Sequence, residues 1–185
     1  PILIPMQFIL PPGPRHGIVI NIAEMRLYFY PQSGHSVWTF PIGIGRLGWA
    51  TPTTNTAVSK KVKHPTWHVP QSIREDAAKR GTHLPLRVPP GPDNPLGQFA
   101  IRLSLPSYLI HGTNTPSGVG MRSSSGCVRL YPEDIKQLFQ QVKIHTPVRI
   151  INMPFKSGWL AEHLFLEVHQ PLQEDHEKLN GMSHL

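Results

Sequence analysis

The sequence predicts a mostly β, sandwich-like domain with short helices and a C-terminal extension. Three observations carry this expectation. The 185 residues correspond to about one domain, with a core able to bury roughly 70% of the surface the unfolded chain exposes. The 21 Pro and 15 Gly leave little room for long helices, yet fall below the ~25–30% combined content of a disordered chain. β-branched and aromatic residues gather in short runs between turn residues.

Residues 1–16 are Pro-rich and read as an extended lead-in around one short strand, Met6 to Leu10. Gly17 to Ile22 and Met25 to Tyr30 are strongly β-prone and flank Ala23-Glu24, so they predict a hairpin. Ser36 to Ile42 is a third strand after a turn at Gln32-Ser33-Gly34. Residues 43–56 repeat Gly, Thr and Pro and read as loop, and Ala57 to Lys63 as another strand. Ser72 to Arg80 is the first helix, closed by Gly81 at C′. A Pro/Gly loop covers 84–97, followed by strands at Gln98 to Ser104 and Tyr108 to His111.

Pro132 to Val142 is the second helix. Ile135, Leu138, Phe139 and Val142 fall at i, i+3, i+4 and i+7, and Pro132, Glu133 and Asp134 suit its first turn. Strands follow at Pro147 to Ile151 and His163 to Val168. Gln170 to Leu185 is polar and reads as a short helix or a frayed end. The division expected is a lead-in over 1–16, a main domain over 17–151, and an extension over 152–185 packed on it.

The formal charge is +7, which favours acidic partners. The basic residues are scattered, however, and Lys60-Lys61-Val62-Lys63 alternates like an exposed strand, so nucleic acid is not the expected partner. No run of 18 apolar residues exists, so no transmembrane segment is predicted. The opening Pro1-Ile2-Leu3-Ile4-Pro5 has no basic stretch before an apolar run, hence no secretory signal. Signals are removed on maturation, so this leaves a non-cytoplasmic home open.

Gly43-Ile44-Gly45-Arg46-Leu47-Gly48 fits the G-x-G-x-x-G dinucleotide pattern. That chemistry needs a helix to start there and an acidic residue about 20 positions on. Trp49-Ala50-Thr51-Pro52 cannot open a helix and the acid is missing, so these are read as turn glycines and no cofactor is expected. The eleven His include His64 and His68, but Pro65 between them denies a shared helical face. No three or four convergent zinc ligands are recognisable, and no metal is expected.

The informative stretch is 108–131. His111 closes an apolar strand and precedes Gly112, while Cys127 follows Gly126 and opens a short apolar run. Sixteen positions separate them, enough for a loop to return and set thiol beside imidazole. A thiol of pKa about 8.5 is only a few per cent thiolate at pH 7, so a nucleophilic Cys needs a base in reach. Gly126 permits close approach of a substrate carbonyl, and amides near Cys127 could form an oxyanion hole. The plainer alternative is a buried Cys and a satisfied core His.

Ile110-His111-Gly112-Thr113-Asn114 and Ser124-Ser125-Gly126-Cys127-Val128-Arg129 resemble the signature of the L,D-transpeptidase catalytic domain of the YkuD type. The signature is a His, some fifteen residues, then Ser/Thr-x-Gly-Cys, an apolar residue and Arg or Asn. Asn21 to Tyr28, Pro41 to Gly45, Pro65-Thr66-Trp67, Gly91 to Gly97 and Val168 to Leu172 are also similar to the family. The resemblance thus covers nearly the whole chain. It is strongest to the periplasmic Gram-negative branch that attaches an outer-membrane lipoprotein to peptidoglycan. Where many members carry a second His, this chain has Ser125. Members of the branch usually carry a LysM-type wall-binding module ahead of the catalytic domain, and residues 1–16 are too short to be one.

The resemblance implies a cysteine-dependent acyltransferase of cell wall biogenesis and cell shape, open to carbapenems. Cys127 would attack the L-centre carbonyl of diaminopimelate in a tetrapeptide stem and release D-Ala. His111 would be the base, oriented by a backbone carbonyl, for which Gly112 is the nearest candidate. The amides of Gly126 and Cys127 would hold the oxyanion. Arg129 would pair with a stem carboxylate or serve as a structural ion-pair partner, and Tyr108, Thr113, Asn114 and Ser125 would line the cleft. A lipoprotein C-terminal Lys is the favoured acceptor, with a second stem or water as alternatives. A lone thiol suits an oxidising periplasm, where a second Cys would risk a disulfide. From another class, a non-catalytic peptidoglycan-binding module would bind the wall without turnover. A papain-like peptidase would place Cys before His, the reverse of the order here.

Overall fold

The computed structural model describes residues 8–32 and 36–175. β1 (Gly17–Asn21) and β2 (Arg26–Tyr30) form the expected hairpin, and β3 (Trp38–Pro41) adds antiparallel to β2. β4 (Ile44–Gly45) is a short strand within the segment expected to be loop. β5 (Thr54–Lys63) is followed by β6 (Trp67–His68), α1 (Gln71–Lys79) and β7 (Arg87–Val88), with β6 and β7 paired around the helix. Then come β8 (Phe99–Leu103), β9 (Leu109–His111), β10 (Arg122–Ser124) and β11 (Val128–Arg129). α2 (Pro132–Gln141), β12 (Pro147–Ile151), β13 (Phe155–Leu160) and β14 (His163–Val168) complete the regular elements.

Three expectations at the chain's periphery change. The described part of the Met6 to Leu10 strand, 8–10, is irregular, and its first two residues lie outside the described residues, as do Ser33 and Gly34 of the turn expected at 32–34. β13 was not expected: Lys156 and Gly158 interrupt its β-prone pattern, and pairing with β14 supplies what propensity does not. Of the polar end, Gln173–Asp175 forms one 3₁₀ turn, and 176–185 lies outside the described residues.

Eight strands form one sheet in the order β11-β9-β8-β5-β12-β1-β2-β3. β5 is the corner. Its first half, Thr54 to Ala57, pairs with β12, while Val58 to Lys63 pairs with β8, and the register shifts between Val58 and Lys60. Such a bulge bends a strand and increases its twist, so the two halves curl around a shared core. This also explains why β5 starts at Thr54: β12 offers it a partner. The core joins Ile18, Ile20, Leu27 and Phe29 from one half to Val58, Ile101, Ile110 and Val128 from the other. α2 closes it with Ile135, Leu138 and Phe139, the last packing on Phe99 at 5.0 Å between rings. Among the described residues no helix is long and apolar enough to cross a membrane.

Candidate active site

Cys127 and His111 reach one face through an unusual pairing. β9 and β11 run parallel at the edge of the large sheet, with Val128 opposite Ile110 and Arg129 opposite His111. Side chains alternate across a strand. Ile110 and Val128, exposed by 0% and 2%, point into the core, so Leu109, His111, Cys127 and Arg129 share the opposite face. That face floors a cleft of about 580 Å³ walled by Trp49, Trp67, Ser72, Pro95 and Tyr108. A second cavity, about 690 Å³, is lined by Thr51, Asn55, Arg122 and Arg149 among others, and by neither His nor Cys.

His111 is buried, and its Nδ1 lies 2.6 Å from the Gly112 carbonyl oxygen. A carbonyl only accepts, so Nδ1 carries the proton and Nε2 keeps its lone pair. Burial, then the neighbouring Arg129 guanidinium, push the imidazole pKa down to about 4, against the pull of the Gly112 carbonyl. The ring is therefore neutral at pH 7. Cys127 is half-buried. Burial pushes its thiol pKa up, opposed by the Leu109 backbone amide and by Arg129. The thiol meets the Ser107 carbonyl at 3.5 Å, and Ser107 holds the left-handed φ of +69°, a strained backbone of the kind that gathers at active sites. The resting pair is thus thiol and neutral imidazole, with the basic nitrogen unprotonated.

The loop before Cys127 is held from two sides. The Ser124 hydroxyl accepts the Gly126 N–H at 3.1 Å and donates to the Cys127 carbonyl. The Thr51 hydroxyl donates to the Gly126 carbonyl at 2.8 Å. Gly126 has φ +103°, and a Cβ there would sit 3.0 Å from the Tyr108 ring, so no other residue fits.

Several expectations need correcting here. The Gly126 N–H is committed to Ser124 and is not a free oxyanion donor, whereas the Cys127 N–H has no partner among the described residues. Thr113 is buried, and its hydroxyl serves Thr115 in a local turn. Asn114 is exposed and meets only Thr115. Neither lines the cleft, because β9 ends at His111 and the chain turns away. Tyr108, Ser125 and Arg129 do line it. Ser125 accepts from Arg46, which also pairs with Asp76 on α1 at 2.6 Å. Arg129 has no carboxylate partner among the described residues, reaches only Ser123 at 3.5 Å, and leaves its Nε buried and unpartnered. The structural ion-pair alternative for Arg129 therefore finds no support. Sequence reasoning missed Thr51, Ser107 and Trp49: Trp49 follows the turn glycine Gly48 and Ser107 follows Pro106, and nothing else in the local pattern marks them.

The glycines read as turn residues are partly strand: Gly45 lies in β4, where a Cβ would sit 1.9 Å from the Trp49 carbonyl, and Gly43 bridges to Arg129. One His and carboxylate grouping, Glu24, Glu167 and His169, does converge among the described residues. The Lys156 ammonium already fills it, 2.8 Å from Glu24 and 3.1 Å from Glu167.

The pattern of the YkuD family, described as the L,D-transpeptidase catalytic domain, matches residues 15–150. This chain belongs to that family. Two Escherichia coli relatives carry the name "Probable L,D-transpeptidase". YcfS is 53% identical over 176 residues, covering 92% of this chain and 55% of that protein. ErfK/SrfK is 48% identical over 180 residues, covering 93% and 56%. The chain thus spans about half the length of these relatives. Among solved structures, a cysteine-to-serine mutant of the Enterococcus faecium L,D-transpeptidase superposes with a TM-score of 0.55 at 19% identity, over 75% of this chain and 50% of that one. An L,D-transpeptidase carbamoylated by avibactam gives 0.58 at 20%, over 76% and 50%. These likenesses establish a shared fold, and the mostly β architecture expected from sequence is that of the family's structures.

Proposed function

We propose that the chain, over 17–151, is the catalytic domain of a peptidoglycan L,D-transpeptidase working in a Gram-negative periplasm, with 152–185 an extension of it. The observation that carries this is a neutral His111 with its tautomer set by Gly112, on the same sheet face as Cys127. The donor is a tetrapeptide stem. His111 Nε2 takes the thiol proton as sulfur bonds to the L-centre carbonyl carbon of diaminopimelate, and the carbonyl oxygen becomes the oxyanion. Protonated His111 returns that proton to the departing D-Ala amine as the C–N bond breaks, leaving a thioester. An acceptor amine then adds to the thioester, gives its proton to His111, and the thiol is re-formed on release. General acid–base help of this kind contributes typically 10²–10⁴-fold.

Arg129 is a bidentate partner for a stem carboxylate, since its guanidinium has no carboxylate partner among the described residues and its Nε is unpartnered. Tyr108, Trp49 and Trp67 supply apolar walls for the stem. The acceptor we favour is a lipoprotein C-terminal Lys; a second stem would give a 3–3 crosslink, and water would give hydrolysis. The test is product mass spectrometry on a tetrapeptide donor offered with a Lys-terminated lipoprotein peptide and a second stem. Loss of D-Ala and a new amide are expected. No D-Ala release by the wild type, or release retained by Cys127→Ala, overturns the reading.

A further inference from the structure

Thr51 lies in the segment expected to be plain loop, yet it is 4% exposed and fully hydrogen-bonded. Its Oγ1 accepts the Gly45 N–H at 3.0 Å and spends its single proton on the Gly126 carbonyl at 2.8 Å. Gly45 is itself fixed, paired with Ser124 and accepting from Arg122 Nε at 3.2 Å. Thr51 lines the second cavity and is not part of the cleft wall.

A trans peptide is planar, so its C=O and N–H point in opposite directions. Anchoring the Gly126 carbonyl on Thr51 therefore turns the Cys127 N–H away from Thr51. That N–H is the donor left without a partner once Ser124 has taken the Gly126 N–H. Gly126, at φ +103°, has an unusually free backbone, and rotation of the 126–127 peptide is what such a residue would otherwise allow. Two hydroxyls oppose it: Thr51 holds the Gly126 carbonyl, and Ser124 holds the Gly126 N–H and the Cys127 carbonyl.

We propose that Thr51 is a positioning residue that aims the Cys127 N–H into the cleft as the oxyanion donor. This deepens the acyl-transfer reading above and rests on it. The donor strengthens its bond only as the carbonyl oxygen gains charge, so the contribution falls on the chemical step rather than on substrate binding.

The experiment compares Thr51→Val, which keeps the shape and loses the hydroxyl, with Thr51→Ser, which keeps the hydroxyl. Three rates are read on the whole chain. These are D-Ala release from the tetrapeptide, acylation by a carbapenem followed by intact mass, and alkylation of Cys127 by iodoacetamide. The first two pass through an oxyanion; alkylation at a saturated carbon does not. Thr51→Val is expected to lose about 10–100-fold in kcat and in acylation, with KM near wild type. Its alkylation rate stays near wild type, and Thr51→Ser recovers most of the loss. Equal acylation by Thr51→Val and wild type overturns the assignment. A parallel fall in alkylation, or a Thr51→Ser as impaired as Thr51→Val, overturns it too, because either marks a general disruption of the loop. A wild type that neither releases D-Ala nor accepts the carbapenem refutes the acyl-transfer reading itself, a result distinct from an active wild type matched by Thr51→Val.

Discussion

Lys156 is surrounded by partners and Arg129 is not. The Lys156 ammonium, 1% exposed, reaches Glu24 at 2.8 Å, Glu167 at 3.1 Å, the Ile9 carbonyl at 2.6 Å and the Tyr28 hydroxyl at 3.2 Å. Tyr28 also donates to Glu24, and burial with that bond pushes its phenol pKa far up. Burial would raise Glu167, but His169, the Ile9 amide and Lys156 hold it below the usual carboxylate range. Every charge in this cluster is answered, and the cluster ties β13 and β14 to the turn after β1. In the cleft, Arg129 keeps a buried unpartnered Nε, His111 is stripped of its charge, and Cys127 holds a lone proton against a raised pKa. Buried charge that is complete holds a fold together; buried charge left incomplete waits for a ligand.

The sharpest way to break the contrast is at the sulfur. Cys127→Ala should lower D-Ala release by about 10⁴-fold or more, while the thermal midpoint moves by little, because the thiol makes one weak contact to Ser107. Lys156→Met should do the reverse. It leaves the buried Glu24 without its close ion pair and Glu167 without one of its partners, which costs about 3–5 kcal/mol and roughly 10 °C in the midpoint of a chain this size. None of the cluster lines the cleft, so kcat measured well below that midpoint should hold. A Lys156→Met that melts normally and loses activity would invert the lesson.

How legible the two regions were differs for the same reason. The β1–β2 hairpin, α1 and α2 were readable because their signals are local: runs of β-branched and aromatic residues, a C′ glycine, an apolar stripe at i, i+3, i+4 and i+7. His111 and Cys127 were readable as residues, through the signature around them. Their placement on one face and in one cleft was not, because it depends on β9 and β11 pairing in parallel across the intervening loop, and spacing alone permits many returns. Thr113 and Asn114 were misjudged because proximity in sequence to His111 does not survive the turn after β9. The Lys156 cluster was invisible, since Lys156 and Glu24 are 132 positions apart and nothing in the local pattern of either marks it.

A third prediction turns on protons. In the unfolded chain His111 would take up a proton near pH 6.5; in the folded protein burial delays this to about 4. Between these values the unfolded state binds more protons, so folding stability contributed by neutral His111 is full above 6.5 and drains away as pH falls toward 4. The loss approaches about 3 kcal/mol. Denaturant titrations of the wild type and His111→Asn should show their stability difference shifting by that amount, against the wild type, between pH 7 and pH 4. A constant difference would mean that folding leaves the proton affinity of the ring unchanged.

The smallest effect tests whether the unfinished pairing of Arg129 acts at a distance on its neighbours. The guanidinium lowers the His111 pKa and the Cys127 pKa alike, because a nearby positive charge disfavours imidazolium and favours thiolate. Arg129→Gln removes that charge, so both values should rise, by about half a unit or more. For His111 this moves the acid limb of kcat upward from near pH 4; for Cys127 it moves the midpoint of iodoacetamide alkylation upward as well. Two shifts of the same sign, at one basic and one acidic group, are the signature of a field rather than of a lost contact, which would change rates without translating both profiles. At pH 7 the imidazole remains neutral in either form, so base strength there changes little. The variant should instead show a raised KM for a carboxylate-bearing stem and a smaller change for an amidated one. An acid limb that stays in place, or moves down, would mean that burial alone sets His111, and would leave Arg129 with substrate binding as its whole contribution.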